Sequence, residues 1–494
     1  MTLITLLTYF GIGAIVLTLF LTQVLKVHKS MYMTFLQSFT GIWFIFSGWV
    51  KAVDPMGTAF KMVDYFTEFE ATFKDTAMSF IAPIFPFLSE YALPFAIIMI
   101  IFEIILGLML LIGDRPKLTS WLFFFLMIFF TALTGFTYLT GFVPMDKNFF
   151  SFGEWTTYVK SNMRVTDCGC FGDFIKLDPR ISFYKDVFLM VPAVYFLFRY
   201  EDMHQLFTQK ARNTILLATT GFLLLYCVYN FYWNEPHVDF RPFKNGANIA
   251  AIQAAEKDAA ANVQVLAMKM KNKKTGEVKE IPYAEYMKNV AALTEDYETL
   301  EQIKTEPIIA ATKISDFSIT DFDGKEKSEI YLTNPKLHIM VPIYKAPYTA
   351  KSRMVTIQDS IFVFDTIKVA NKSDSIKITK TLQSVQPKEE KVYDIIWDAD
   401  FVQVMKDDIK PLADAASKDK VQMSIVISGI DQDKASSLAK ETGITAEYLT
   451  GDEKLIKTIM RSNPGIIFWK NGVLLHKWHY KKFPGYEAAK AEFK

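Results

Sequence analysis

The chain has 494 residues, 51% of them hydrophobic, and a formal net charge of +1. That length exceeds one ordinary core, so two or more domains are expected. The near-neutral balance gives no footing for nucleic acid, which calls for a basic patch. A mean hydropathy of +0.17 averages two unlike halves: up to about residue 233 the chain is dominated by Phe, Leu and Ile runs, and beyond it Lys, Asp and Glu abound.

Six segments are apolar enough to span a bilayer, which takes roughly 20 helical residues. They lie near Leu3–Leu25, Phe35–Val50, Leu93–Ile112, Leu118–Val143, Val187–Phe198 and Ile215–Trp233, the fifth being short. The first has no basic residues before its apolar run and no small-residue cleavage site, so it reads as a retained helix and not a signal peptide. Lys26 and Lys29, Arg115 and Lys117, and Arg199, Lys210 and Arg212 fall in three loops on one side. That side is expected to be cytoplasmic, which places the two longer loops and everything after Trp233 outside. Lys147, Lys160, Arg164, Lys176 and Arg180 run against this rule, but they sit in a longer loop, where charge weighs less. Between the second and third segments, Met62, Phe66, Phe69 and Phe73 recur at helical spacing. That pattern fits an amphipathic helix on the membrane surface, or one packed on the outer mouth of the bundle.

Two of the three cysteines stand together in Asp167-Cys168-Gly169-Cys170-Phe171-Gly172-Asp173, in a loop expected to face the oxidising side. Residues i and i+2 are at most roughly 7 Å apart, within reach of a disulfide. A ring so small is expected to be strained and readily reduced, as suits a redox pair. Two readings stand beside redox exchange by Cys168 and Cys170: an inert local clip, and Cu(I) held by two thiolates. Zinc wants four ligands, and no histidine is near in sequence. Cys227, toward the outer end of the sixth segment, is either a resolving thiol or a small buried hydrophobe. Glu103 lies in mid-span, where a carboxylate pairs or marks a site. It serves either an interhelical hydrogen bond or proton handling. Lys51, nearer the surface, would have to fold inward to meet Glu103; otherwise it snorkels.

These residues carry a resemblance. Phe46-Ser47-Gly48-Trp49-Val50-Lys51 followed by Asp54-Pro55, Glu103 with Gly107 and Gly113, the cysteine loop with Phe171-Gly172, and Asp186 on the next helix resemble the DoxX/MauE group of redox-associated membrane proteins. The resemblance covers about Met31 to Tyr200. It implies a four-helix core with two helices added, and a link to periplasmic thiol–disulfide or quinone-coupled electron transfer. A membrane quinone is the one cofactor it suggests.

After Trp233, residues 246–262 are Ala-rich and read as a helical spacer. Val263–Ile281 alternates about Lys274-Thr275-Gly276-Glu277, a hairpin, and a polar helix is expected near Tyr283–Glu301. From Ile314 the expected order is a turn at Asp323-Gly324, a buried strand at Leu337–Tyr344 and a charged excursion at Ser360–Val392. A helix follows at Asp398–Ser417, then a buried strand at Val421–Ser428 and helices at Asp431–Glu441 and Glu453–Arg461. Strands Ile466–Trp469 and Val473–Trp478, joined by Asn471-Gly472, precede a last helix at Tyr486–Phe493. This order resembles a thioredoxin-like α/β domain over residues 314–494, with Pro464 at the position of the proline that is cis in that family. No cysteine follows residue 227, and Lys345-Ala346-Pro347-Tyr348 stands where CxxC belongs, so this domain lacks a nucleophile for exchange. The combined order resembles Bacteroidota membrane proteins, which implies a bacterial inner membrane and a periplasmic C-terminal half.

The expected division is 1–30, an extra N-terminal span; 31–200, a DoxX/MauE-like bundle with the CGC loop; 201–235, a sixth span; 236–313, a periplasmic connector; and 314–494, a thioredoxin-like domain. Two functions follow. One is a redox protein acting through Cys168 and Cys170, with Glu103 moving protons. The other is a non-enzymatic scaffold or accessory subunit of an envelope complex. In either, the thioredoxin-like domain is expected to bind a periplasmic or envelope protein through Tyr348, Asn463, Pro464 and Trp469.

Overall fold

The computed structural model describes residues 2–165, 169–368 and 376–493. The N-terminal half is helical. Helix α1 (Leu3–Leu19) runs on through a π turn to Val24 and is followed by α2 (Met31–Val53), α3 (Pro55–Lys74), α4 (Ile84–Glu90), α5 (Ala92–Ile112) and α6 (Pro116–Thr140). After a long loop come α7 (Pro179–Arg199) and α8 (Gln209–Val228), the latter extended by a π turn to Trp233. Polar side chains start these helices as sequence rules require: Ser30, Asp54, Asp178 and Thr208 accept the free N–H groups of α2, α3, α7 and α8.

Among the described residues, five helices are long and apolar enough to cross a membrane: Leu3–Val24, Ala92–Ile112, Pro116–Thr140, Pro179–Asp202 and Gln209–Trp233. The second expected segment forms a 23-residue helix, α2, that is not among the five. Its apolar run is broken by Gln37, Ser38, Thr40, Ser47 and Lys51, all buried by neighbouring helices. It is the inner helix of the bundle. A Cβ on Gly41 would meet the Gly107 carbonyl at 2.9 Å, and one on Gly48 would meet Ile104 at 2.4 Å, so small residues bring α2 against α5. Helix α3 packs on the bundle: Ala59 clusters with Ala92 and Ala96, and the Tyr65 hydroxyl is 2.9 Å from that of Thr137.

The three basic loops meet at one end. Lys29 donates to the Glu201 carbonyl at 2.7 Å, Arg115 to Asn213 at 3.1 Å, and Arg212 to Asp114 at 3.2 Å. The C-terminal half sits at the other end, against the α2–α3 corner and the α6–α7 loop.

That half is built on sheets. Strand β1 (Ala247–Asn248) and helix α9 (Ile249–Ala261) lead into β2 (Val265–Asn272), β3 (Val278–Pro282), α10 (Tyr283–Lys288), α11 (Val290–Asp296) and β4 (Tyr297–Lys304). Next come β5 (Ile319–Thr320), α12 (Glu329–Leu332), β6 (His338–Ile343), β7 (Tyr348–Lys368), β8 (Ile376–Trp397), α13 (Ala399–Val404) and α14 (Lys410–Lys418). The remainder is β9 (Gln422–Ile427), α15 (Gln432–Thr442), β10 (Glu447–Gly451), α16 (Glu453–Ile459), β11 (Gly465–Lys470), β12 (Val473–His479) and α17 (Tyr486–Ala491).

A seven-stranded sheet has the order β1-β12-β11-β6-β9-β10-β5. Strand β6 runs parallel to β9 and antiparallel to β11, which makes the Asn471-Gly472 hairpin with β12. Alternation along β6 fills two layers: Ile339, Val341 and Ile343 face one core, Met340 the other. The Asn463–Pro464 peptide is cis. Strands β7 and β8 form a separate antiparallel ribbon reaching about 70 Å at ~3.3 Å per residue.

Three expectations change. Residues 246–262 are no spacer: β1 pairs with β12, and Gln253 of α9 donates to the carbonyls of Ile314 and Phe317 at 3.2 Å. The polar helix expected to Glu301 stops at Asp296, because β4 instead covers the free edge of β2 in a sheet ordered β3-β2-β4. The charged excursion, expected from Ser360 to Val392, is part of a two-stranded ribbon whose described residues run from Tyr348 to Trp397.

Candidate functional site

Ser47 and Lys51 lie one turn apart on α2 and so share a face. Close approach of α2 to α5 brings that face to Glu103. The Lys51 ammonium lies 2.7 and 2.9 Å from the two carboxylate oxygens of Glu103 and donates to the Ser47 hydroxyl at 3.0 Å. Lys51 therefore folds inward and does not snorkel. Both partners are buried, which is tolerable only because each satisfies the other. The Ser47 hydroxyl in turn donates to the Cys170 carbonyl at 2.8 Å, tying the cysteine loop to α2.

A second ion pair stands opposite, on α7. Lys185 and Asp186 are 2.5 Å apart and both buried. Asp186 accepts from Thr134 of α6 at 3.0 Å, and Lys185 lines the same cavity as Cys170. Lys185 was not singled out in the sequence, although its place beside Asp186 at the start of a span was a usable signal. Burial pushes the Cys170 thiol up, while the Lys185 and Lys51 ammonium groups act against that shift.

These groups line a cavity of ≈ 830 Å³. Its inner wall carries Trp43, Phe44, Phe130, Leu133 and Leu189 alongside Ser47, Lys51, Glu103, Cys170, Lys185 and Asp186. Phe129 of α6 also lines it and is 46% exposed. The outer wall is made by α3 and by the soluble half, from Asp452 to Arg461.

Where the halves meet, charge replaces apolar packing. Arg461 donates to Asp54 at 2.7–3.0 Å and to Asp173 at 2.9 Å. Burial pushes the Asp54 carboxyl up, but the Arg461 guanidinium holds it below its ordinary value. Glu235, just past the last span, accepts the backbone N–H groups of Arg461 and Ser462 and pairs with Arg241 at 2.7 Å. Arg241 and Lys477 together hold the Asp239 carboxyl, otherwise raised by burial, down at about 2. Phe240 packs on Phe174 of the cysteine loop at 5.1 Å and on Trp49 at 6.4 Å.

Cys170 and Glu103 thus share one cavity. Cys168 lies outside the described residues, and Cys170 is a free thiol in this structure. Cys227 packs among Ile97, Ile100 and Ile104, away from the cavity wall. Among the described residues, no group of His, Cys, Asp and Glu is placed to hold a metal ion.

The four residues expected to meet a partner are less available. Trp469 is fully buried against Phe317 and Tyr331 and fills the core, because its inward position on β11 leaves it no surface. Pro464 is buried. Asn463 is engaged within the chain, accepting from the Tyr344 N–H at 3.1 Å and donating to the Lys345 carbonyl at 2.7 Å. Tyr348 is half-buried on Trp397. Tyr344 beside them is covered by Phe60 of α3 at 5.3 Å.

Five apolar helices around a buried polar inner helix define a multi-pass membrane protein. Residues 29–143, from just before α2 to just after α6, match the family model described as methylamine utilisation protein MauE, so the membrane region is MauE-like. No curated protein and no solved structure matches the chain.

Proposed function

We propose that this chain is a redox protein of a bacterial inner membrane, in which Cys168 and Cys170 exchange disulfides with a protein partner on the outer side. The observation that supports this most is the position of Cys170, on a cavity wall beside Lys185 and one hydrogen bond from the Ser47–Lys51–Glu103 chain. In the proposed exchange, two partner thiols pass two electrons and two protons to the Cys168–Cys170 disulfide. A partner disulfide and the two thiols of Cys168 and Cys170 result. Lys185 steadies the thiolate form of Cys170 during attack. Glu103, through Lys51 and Ser47, carries protons to and from the loop.

A membrane quinone is the oxidant we assign, because the aromatic inner wall and the buried ammonium groups of the cavity suit a ring with polar oxygens. Trp43, Phe130 and Leu189 would hold it. Bound there, it supplies a two-electron oxidant for the cysteine pair.

We read residues 314–494 as a thioredoxin-like domain without its cysteines. The parallel β6–β9 pair, flanked by the β11–β12 hairpin, supports that reading. Its role is then structural, closing the outer wall of the cavity.

The test is differential alkylation of Cys168 and Cys170 in cells, with and without respiratory quinones. The reading requires a pair that cycles between thiol and disulfide and accumulates as thiol when quinone is depleted. A pair locked in one state under both conditions favours the scaffold.

A further inference from the structure

We propose that Arg461 of the soluble half is a positioning residue for Cys170, so that the state of that half sets how far the thiol is exposed. The proposal rests on the redox reading above for its purpose, but its geometry is independent of that reading.

The segment from Gly169 to Phe174 is a compact double turn, closed by the hydrogen bonds Gly172 N–H to Gly169 carbonyl at 3.1 Å and Phe174 N–H to Phe171 carbonyl at 3.0 Å. Gly169 and Gly172 both take positive φ, at +62° and +51°, a conformation glycine adopts without the clash a Cβ would bring. Besides the Ser47 hydroxyl on the Cys170 carbonyl and the Lys176 ammonium on Asp173, two anchors hold it. Phe171 is fully buried and packs on Trp43 at 6.2 Å, which fixes the turn to the bundle. Asp173 reaches the other way, to Arg461 at 2.9 Å. Cys170 stands on the same double turn as both anchors, so a shift at Asp173 moves the thiol.

Arg461 is itself held from three sides. Its guanidinium forks onto Asp54, which accepts the Gly57 N–H and so starts α3; its backbone N–H is taken by Glu235; and its side chain lies over the Phe60 ring at 5.4 Å. Asp54 and Phe60 line the outer part of the cavity. One guanidinium thus joins the cysteine turn to the first turn of α3, while the backbone of the same residue meets Glu235 just past the last span. A planar fork of five donors can do this and an ammonium cannot. The segment that carries Arg461 runs straight into Asn463, which grips the end of β6. A displacement of that segment is therefore transmitted to the cysteine turn through Arg461, beside the ring contact of Phe240 with Phe174.

The experiment uses the full-length chain in detergent, in a C168S/C227S background where Cys170 is the remaining thiol, and follows its labelling by a water-soluble maleimide. The D173N variant removes the charge from the tether while leaving Arg461 paired with Asp54, so the fold is retained. R461Q cuts it from the other side, and R461K keeps charge without the fork. We expect D173N and R461Q each to speed labelling about tenfold, the scale of one charge-assisted hydrogen bond released from a local opening. The double variant should be no faster than the faster single, because both cut one tether, and R461K should fall between. Wild-type labelling rates in a folded D173N would overturn the proposal, and so would additive effects in the double variant. With the native cysteines restored, the reduction potential of the Cys168–Cys170 pair should move in the same direction in D173N and R461Q. A pair that never cycles sinks the redox reading while leaving the labelling result intact.

Discussion

Lys51 and Glu103, on different helices and 52 residues apart, make a two-pronged ion pair at 2.7 and 2.9 Å in the interior of the helical bundle. Removing one partner strands the other without water. E103Q or K51M should therefore lower stability by roughly 3–5 kcal/mol, whereas the paired change K51M/E103L should cost less than either. Thermal unfolding in detergent checks this; a double variant as unstable as the sum of the singles would mean the two groups are not coupled.

The orientation read from the basic loops gives a second prediction. The structure gathers Lys29, Arg115 and Arg212 at the end opposite the soluble half. If that end is cytoplasmic, protease added to intact spheroplasts should remove the C-terminal half. Protection until lysis would reverse the assignment.

Two buried histidines give a pH dependence. Burial lowers His338 and His479 to about 4 from the ordinary 6.5. Unfolded chains bind these protons first as pH falls, so stability is complete above about 6.5 and declines down to about 4. The limiting loss is roughly 3 kcal/mol per histidine. Melting temperature against pH should fall across that window, and H338Q should flatten part of the slope.

The hairpin that ends the large sheet makes a fourth. Gly472 has φ +77°, and a Cβ there would meet Ala250 at 2.5 Å and the Leu332 carbonyl at 2.7 Å. G472A should destabilise by about 1–3 kcal/mol, whereas N471D, allowed by the same turn, should be nearly silent. Chemical denaturation followed by the fluorescence of the buried Trp469 separates the two.

Much of this architecture was legible. Long apolar runs gave the spans, and alternation with Asn471-Gly472 gave the central strands. The misses share a physical cause, since each depends on what lies across space. Helix α2 has buried polar residues because other helices, and not lipid, surround it. The fifth span was read short at Val187 because Lys185 and Asp186 look like its end, yet they pair inside the helix. Strand β10, Glu447–Gly451, was overlooked because of its residues only Leu449 is fully buried. Of the site, Glu103, Cys170 and Lys51 were visible as exceptions to their surroundings. Arg461 was not, since its partner Asp54 is 407 residues away.

The pairing of β1 with β12 bears on how the protein is made. Ala247 lies just past the last span, and its partner Leu474 is separated from it by nearly the whole soluble half. During synthesis, Ala247 and Asn248 must wait for Val473 and Leu474 before this edge of the sheet closes. Until then Ile249 of α9 lacks Trp469 and Leu474, two members of the cluster that buries it. A nascent chain stalled before residue 473 would carry a finished anchor and an open, adhesive sheet, a state that invites chaperones or proteolysis.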